Sequence, residues 1–223
     1  MIRKLASMIV PLALLVGIGW LGLSRWAPSR EAYPTQGIDV SRVQGEIDWK
    51  AARSAGVNFA YIKASDGVDL RDDHFASNWA GTAEAGMKRG AYHFFSLCRT
   101  GREQATNFIS LVPREATALP PAIKLEFDDN CELRPSRDRL LAELATFIQM
   151  VEAHSEKPMM IQVTRAFETQ YGVSEAIDRP LWLIRTGLKP GYGAHAWVIW
   201  QANRLRRIDG IEGPVDWNVV RPQ

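Results

Sequence analysis

Short apolar runs alternate with stretches of helical periodicity along most of the chain. Between the runs, apolar residues recur with the spacing of amphipathic helices over about 48–55, 73–88, 101–111 and 136–153. Strands are predicted at the runs themselves, which cover 37–41, 58–65, 89–96, 120–127, 158–164, 180–186 and 196–203. Strands and helices in alternation indicate parallel strands joined by crossover helices, and hence an α/β fold.

The number of predicted strands and the loop after the first one narrow this fold class. No glycine-rich phosphate-binding loop follows the first predicted strand, which disfavours an open doubly wound sheet. About seven or eight strands in one domain favour an irregular, single-domain β/α barrel of the TIM-barrel type. Such barrels carry their chemistry at the C-terminal ends of the strands.

Residues 1–24 are predicted to form a hydrophobic helix that precedes the barrel. Two basic residues come first, and no charged residue follows from Leu5 to Ser24, a run long enough to cross a hydrocarbon core of about 30 Å. This length favours a membrane anchor, whereas the small residues Gly22 and Ser24 offer a site for cleavage of a signal. Both alternatives export the domain.

Residues 25–36 contain two prolines and polar residues without periodicity, a composition typical of a linker. A single globular domain is therefore predicted to cover 37–223. We expect this domain in the cell envelope, attached to the membrane through the N-terminal helix, or secreted if that segment is cleaved.

Charge and metal-ligand patterns limit the function classes. The net charge is +2, from 27 basic and 25 acidic residues, so nothing favours nucleic acid as a partner. The four histidines are scattered, and neither they nor the cysteines have the spacing of metal ligands. We expect a monomer without metal or cofactor.

Two cysteines, Cys98 and Cys131, lie in the part predicted to be exported. An even number of cysteines in an oxidising compartment predicts one disulfide. Two buried free thiols are the alternative.

Polar residues recur where the predicted strands end, which is the edge that carries the chemistry in a barrel. One such residue alone indicates little, because a single polar residue at a strand end is usually a turn former or a helix cap. Together they define a candidate site, made of Asp39, Lys63, Asp66, His93, Glu126, Gln162, Gln201 and Asp216.

Six segments of the chain, taken in order, resemble the successive motifs of glycoside hydrolase family 25, the lysozymes that cut peptidoglycan. The resemblance extends from Gly37 to about Val220. The segments are "GIDVSRVQGEIDW", "YIKASDG", "RGAYHFF", "PPAIKLEF", "WVIWQAN" and "GIEGPVDWN".

This resemblance implies an irregular β/α barrel whose cleft binds peptidoglycan glycan strands and cleaves the β-1,4 bond between N-acetylmuramic acid and N-acetylglucosamine. Glu126 matches the general acid of the family's Asp-x-Glu motif, and Asp39 and Asp216 match two further carboxylates of its site. The leaving oxygen must be protonated as the bond breaks, and the positive charge on the sugar ring needs negative charge nearby.

One position departs from the family's motif, because the strand has Lys124 where the Asp of Asp-x-Glu is expected. Side chains two residues apart on a strand point the same way, so Lys124 is predicted to reach Glu126. A cation there stabilises the ionised carboxylate and repels positive charge on the sugar, which opposes the proposed chemistry.

We therefore keep two hypotheses of different classes. The first is a peptidoglycan-cleaving lysozyme-type hydrolase with reduced activity, with Asp39, Glu126 and Asp216 as catalytic residues. The second is an envelope-anchored module that binds peptidoglycan without cutting it. In both, substrate is expected to contact the remaining strand-end residues, which are Lys63, Asp66, His93, Lys124, Gln162 and Gln201.

Overall fold

The computed structural model of the chain describes Gly17, Gly19, Trp20 and residues 22–127 and 131–222. Its strands are β1 Gln36–Val40, β2 Phe59–Asp66, β3 Leu70–Arg71, β4 Lys88–Phe94, β5 Ala122–Leu125, β6 Met160–Val163, β7 Leu181–Ile184, β8 Trp197–Arg206 and β9 Val215–Val220. Its helices are α1 Trp49–Ser54, α2 Phe75–Glu84, α3 Gly101–Ile109, α4 Arg137–Ser155, α5 Arg165–Tyr171 and α6 Val173–Ala176. Residues 22–25 are also helical, and Arg42–Gln44 forms one 3₁₀ turn.

The strands close into a barrel. Their order is β1-β9-β8-β7-β6-β5-β4-β2, and β1 pairs again with β2 to complete the ring, while the short β3 lies outside it beside β2. The pairs are parallel all the way from β1 through β2, β4, β5, β6 and β7 to β8. The predicted single-domain β/α barrel is therefore confirmed.

The last strand differs from the expected parallel pattern, because β9 runs antiparallel to both β8 and β1. The connection between β8 and β9, residues 207–214, contains no helix. A parallel return needs a crossover of a dozen or more residues, so this short connection leaves only the antiparallel direction. As a result, the beginning of β9 lies beside the C-terminal end of β1.

The helices that were predicted begin close to the expected residues, for a local reason. Thr100 and Ser136 precede α3 and α4, and their side-chain oxygens accept hydrogen bonds from the backbone N–H groups of Glu103 and Arg139. Threonine and serine satisfy the free N–H groups of a first helical turn in this way. The short helices α5 and α6 and the strand β3 were not predicted, since segments this short carry too little periodicity.

Alternation along the strands produces two apolar layers. In β2, Tyr61 belongs to a cluster inside the barrel, whereas the adjacent Ile62 belongs to the larger layer between barrel and helices. The interior has little room near β1, since a Cβ at Gly37 would lie 2.3 Å from the carbonyl oxygen of Phe59. Large apolar rings fill one end of the interior, and polar side chains occupy the other.

Residues 23–35, here called the strap, pack along the outside of the barrel. Trp26 lies with its ring centroid 6.4 Å from that of Trp200, and Tyr33 lies 5.8 Å from the same ring. The side chain of Asn203 donates hydrogen bonds to the carbonyl oxygens of Leu23 and Trp26. The segment predicted as a linker is thus largely in contact with β8, and β1 begins at Gln36, one residue before the predicted boundary.

The N-terminal anchor or signal was predicted on residues 1–24, of which 1–16, 18 and 21 lie outside the described residues. Within the described part of the chain, no helix combines the length and the apolar character needed to span a membrane.

Candidate active site

Three of the carboxylates that were singled out meet at the polar end of the barrel. Asp39 lies near the end of β1, Glu126 follows β5 directly, and Asp216 is the second residue of β9. Asp39 and Asp216 are opposite each other in the antiparallel pairing of β1 and β9. Residues from strands β1 and β9, far apart in sequence, thus form one acidic group.

Burial dominates the properties of Asp39, which is only 4% exposed. Asn218 donates a 2.7 Å hydrogen bond to its Oδ1. Loss of hydration and, after it, the nearby charge of Asp216 raise the pKa of Asp39. Lys124, Asn218 and Arg204 lower it, and the net result is a pKa of about 8. The pKa of Asp216 is also raised, first by burial, while Lys124 and Arg204 lower it.

Two cations flank the third carboxylate, Glu126. The Nζ atom of Lys124 lies 3.8 Å from Glu126 Oε2, as the spacing on β5 predicted. Arg204 lies on the other side, with Nη1 3.8 Å from Glu126 Oε1 and Nε 3.7 Å from Asp216 Oδ1. Lys124 is 7% exposed, so its charge is screened weakly by solvent.

The other predicted substrate contacts form two separate pairs. Lys63 Nζ and Asp66 Oδ2 lie 2.6 Å apart at the end of β2, and both side chains are partly accessible. Gln162 Nε2 donates a 2.8 Å hydrogen bond to Gln201 Oε1, and these two side chains are buried. Gln162 Oε1 and Gln201 Nε2 have no hydrogen-bond partner among the described residues. Since Gln162 pairs in register with Lys124, the amide pair lies inside the barrel beside the acidic group.

His93 does not belong to this site, which corrects the prediction that it contacts substrate. It is fully buried on the outer face of β4, where Nδ1 lies 2.8 Å from Ser65 Oγ and Nε2 lies 3.1 Å from Gln104 Oε1. Its ring packs 4.9 Å from that of Phe147, and burial lowers the pKa of His93 to about 3. Because neighbours on a strand face opposite ways, Tyr92 points into the barrel and His93 points toward the helices.

Two members of the site were not predicted. Arg204 lies one residue beyond the strand predicted at 196–203, and no local pattern distinguishes it from the neighbouring arginines. Asn218 could have been found, because it stands two residues after Asp216 in "VDWN" and so shares its face of β9.

The predicted disulfide between Cys98 and Cys131 is present, with an S–S distance of 2.07 Å and a Cα–Cα distance of 5.9 Å. It joins the segment after β4 to the segment after Glu126. Among the described residues, no three His, Cys, Asp or Glu side chains are grouped as metal ligands.

A closed β/α barrel with several carboxyl groups at the C-terminal ends of its strands is an arrangement characteristic of glycoside hydrolases. The profile described as "Glycosyl hydrolases family 25" matches residues 38–211. The chain belongs to this family and is a lysozyme-type glycoside hydrolase.

Individual relatives agree with this assignment. Lysozyme M1 of Streptomyces globisporus is 31% identical over 195 residues, covering 82% of this chain and 66% of that protein. The structure of a family 25 glycosyl hydrolase from Bacillus anthracis superposes with a TM-score of 0.80 at 32% identity, covering 90% of this chain and 94% of that one. A bacterial lysozyme from Streptomyces coelicolor gives a TM-score of 0.79 at 30% identity, covering 85% and 93%.

Proposed function

We propose that this protein hydrolyses the β-1,4 bond between N-acetylmuramic acid and N-acetylglucosamine in peptidoglycan, at a reduced rate. The observation that carries the proposal is the meeting of Asp39, Glu126 and Asp216 at the polar end of a family 25 barrel. Similarity to Lysozyme M1 supports peptidoglycan as the substrate. The family motif assigns Glu126 as proton donor, with Asp39 and Asp216 opposing the charge that develops on the sugar.

The reduced rate follows from Lys124, which we place at the position of the motif's aspartate. Its ammonium group lies 3.8 Å from Glu126 and acts on both other carboxylates. A positive charge at this point opposes the positive charge of the transition state. Loss of one stabilising group commonly costs about 10²–10³ in rate, and a group of the wrong sign costs at least as much.

The test uses the full chain and purified peptidoglycan, with release of reducing ends as the readout. Lys124→Asp restores a carboxylate and is expected to raise kcat by about 10²-fold or more. Lys124→Gln is the matched control, since it removes the cation without adding an acid, and it should give a smaller gain. A lower rate for both variants at unchanged Tm would contradict the assigned effect of Lys124.

A second candidate function is peptidoglycan binding without cleavage, and the two cations beside Glu126 favour it. Wild-type protein that sediments with purified sacculi but releases no reducing ends would establish this alternative and exclude the first. The variant Lys124→Asp is assayed for turnover under the same conditions. Turnover by this variant would show that Lys124 suppresses an otherwise complete site, and no turnover would show that the site lacks a further group.

We further propose that the domain works in the cell envelope. The disulfide Cys98–Cys131 supports an oxidising compartment. Attachment through the N-terminal helix remains a prediction, which fractionation of cells into membrane and soluble envelope extracts tests directly.

A further inference from the structure

Lys124 and Arg204 carry charged hydrogen-bond donors that the folded chain leaves unused. Each lies 3.8 Å from a carboxylate oxygen of Glu126, and Arg204 comes within 3.7 Å of Asp216. These distances exceed the roughly 2.7–3.2 Å of an N–H···O hydrogen bond. Among the described residues, neither the Nζ atom of Lys124 nor the guanidinium group of Arg204 donates a hydrogen bond to any acceptor. Both cations are therefore available to a ligand.

The Lys124 ammonium group lies where the buried interior meets the open part of the cleft. Lys124 is 7% exposed, whereas the side chains of Glu126 and Arg204 beside it are 25% and 46% exposed. A buried charged donor without a hydrogen-bond acceptor costs free energy, because it has lost water and gained nothing in exchange. A ligand that brings an anionic acceptor to this point removes that cost.

The acidic groups around these cations oppose an incoming anion less than free carboxylates would. The pKa of Asp39 is raised to about 8, first by burial, and burial also raises the pKa of Asp216. Asp39 is therefore largely uncharged at neutral pH and does not repel an anion. At the position of the motif's aspartate the chain has the cation Lys124. The charge of the site thus permits an anionic ligand.

The proposed substrate carries one acidic group on the sugar that reacts. N-acetylmuramic acid forms the scissile bond with its first carbon and bears a lactyl ether on its third. In strands that keep their peptides, an amide bond to the peptide removes the charge of the lactyl carboxyl group. In strands without peptides, the lactyl group ends in a free carboxylate.

We propose that Lys124 and Arg204 bind the free lactyl carboxylate of N-acetylmuramic acid, which makes glycan strands without peptides the preferred substrate. The inference rests on the proposed hydrolysis and names its substrate class. The arginine fork presents paired N–H donors that match two carboxylate oxygens, and the lysine adds a charge-assisted hydrogen bond. The bound substrate then supplies the negative charge that the motif's aspartate would provide, and it offsets the charge of Lys124 beside the reacting bond.

This preference also defines the class of reaction that precedes the hydrolysis. A free lactyl carboxylate forms when water cleaves the amide bond between the lactyl group and the peptide, which releases the peptide with a free amine. An amidase-type reaction must therefore supply the preferred substrate. Strands with intact peptides remain the slow substrate, because a neutral amide leaves the charge of Lys124 without compensation.

The anion subsite is tested on the full chain by calorimetric titration, without turnover. The probe is the disaccharide N-acetylglucosaminyl-β-1,4-N-acetylmuramic acid, which contains no bond of the scissile type. The comparison is the same disaccharide with its lactyl carboxyl group converted to a methyl amide. The free acid should bind about 10–100-fold more tightly, the effect of one charge-assisted hydrogen bond. Equal affinities, or no binding of either probe, overturn the inference.

Single substitutions locate the bound carboxylate. Lys124→Gln and Arg204→Gln each remove one cation, and each should reduce the preference for the free acid by about fivefold or more. Arg204 is the more exposed of the two, so its variant keeps the test decisive where Lys124→Gln fails to fold. Lys88→Gln is the matched control, since Lys88 is exposed at the opposite end of the barrel, and it should keep the full preference. An unchanged preference in folded Lys124→Gln or in Arg204→Gln overturns the assignment.

Turnover on two forms of one glycan separates this inference from the proposed function. Soluble, uncrosslinked strands that keep their peptides are compared with the same strands after amidase treatment. Wild type should release reducing ends from the treated strands with a kcat/KM about tenfold or more higher. Lys124→Asp should lose or reverse this preference, because its carboxylate repels that of the lactyl group.

The possible failures of this turnover assay are distinguishable. Equal kcat/KM values of wild type on both forms overturn the inference and leave the proposed function standing. No release of reducing ends from either form rejects the proposed function, and the disaccharide titration still decides whether Lys124 and Arg204 bind the carboxylate.

Discussion

Desolvation determines the behaviour of Asp39 more than any contact that it makes. In the folded chain it is buried beside another acid, whereas in the unfolded chain it has the ordinary pKa of 3.8. The folded state therefore holds the Asp39 proton more tightly than the unfolded state does. As the pH rises from about 4 toward about 8, the unfolded state releases this proton first, and folding loses stability over that window.

Replacing Asp39 by asparagine removes this pH-dependent loss of stability. The amide oxygen of the new side chain can still accept the hydrogen bond from Asn218. We expect the Tm of Asp39→Asn to exceed that of wild type at pH 8 by at least about 2–4 °C, the shift that 1 kcal/mol produces in a domain of this size. At pH 4 the difference should be smaller. Calorimetry at the two pH values measures it.

The control for this experiment is Asp69→Asn, since the Asp69 side chain is 86% exposed. Its Tm should follow that of wild type at both pH values. A gain for Asp39→Asn that is equal at pH 4 and pH 8 would show that proton binding is not its cause.

At the residue scale, the sequence predicts contacts along one strand better than contacts between strands. Period-two alternation placed Lys124 beside Glu126, and the same alternation, applied to "YHFF", would have directed His93 away from the cleft. Arg204 could not be foreseen, because its position depends on how the last two strands return to the first. Local spacing contains no information about that return.

At the scale of elements, the disulfide joins two loops that border the site. Cys98 follows β4 and Cys131 follows β5, at a sequence separation of 33. The covalent link holds Cys131 close to Cys98, which lies just before the start of α3. Its main energetic effect is to restrict the unfolded chain.

Replacing both cysteines by serine should lower the free energy of unfolding by about 3–4 kcal/mol, the loop-closure value for a link of this length. Denaturant unfolding of Cys98→Ser/Cys131→Ser measures the loss. Wild-type protein treated with a reductant is the matched comparison and should show a similar decrease. Equal stability of oxidised and reduced wild type would contradict the prediction.

Most elements of the barrel could be predicted, since seven of its strands are continuous apolar runs separated by turn signals or helices. The strand β9 was recognised only through the motif "VDWN", and its direction was not predicted. Its interior positions carry Asp216 and Asn218, so the apolar alternation that identifies a strand is interrupted by the residues that form the site. In β9, the polar residues of the site therefore replace the apolar residues by which a strand is recognised in the sequence.

At the scale of the whole molecule, the strap extends the folded unit beyond the barrel itself. Tyr33 packs between Trp197 and Trp200, with ring centroids 6.3 and 5.8 Å away. A segment that buries aromatic rings contributes to stability in the way that an added element of the core does. The composition of this segment predicted a linker, since its few aromatic residues show no periodicity.

Tyr33→Ala should therefore lower the free energy of unfolding by about 1–3 kcal/mol, more than a change in a true spacer would cost. Glu31→Ala, at an exposed position in the same strap, is the control and should stay within about 0.5 kcal/mol of wild type. Denaturant unfolding compares the two variants. Equal effects would mean that the strap does not contribute through its rings.

The pairing of β1 with β9 also has a consequence for the order of events during synthesis. Asp39 leaves the ribosome well before Asp216 and Asn218, which lie about 180 residues later on the strand that closes the barrel. A nascent chain that has reached β8 contains the first carboxylate without its partner and has an open barrel. The acidic group is completed only after β9 has been released, so we expect fragments truncated before β9 to release no reducing ends from peptidoglycan.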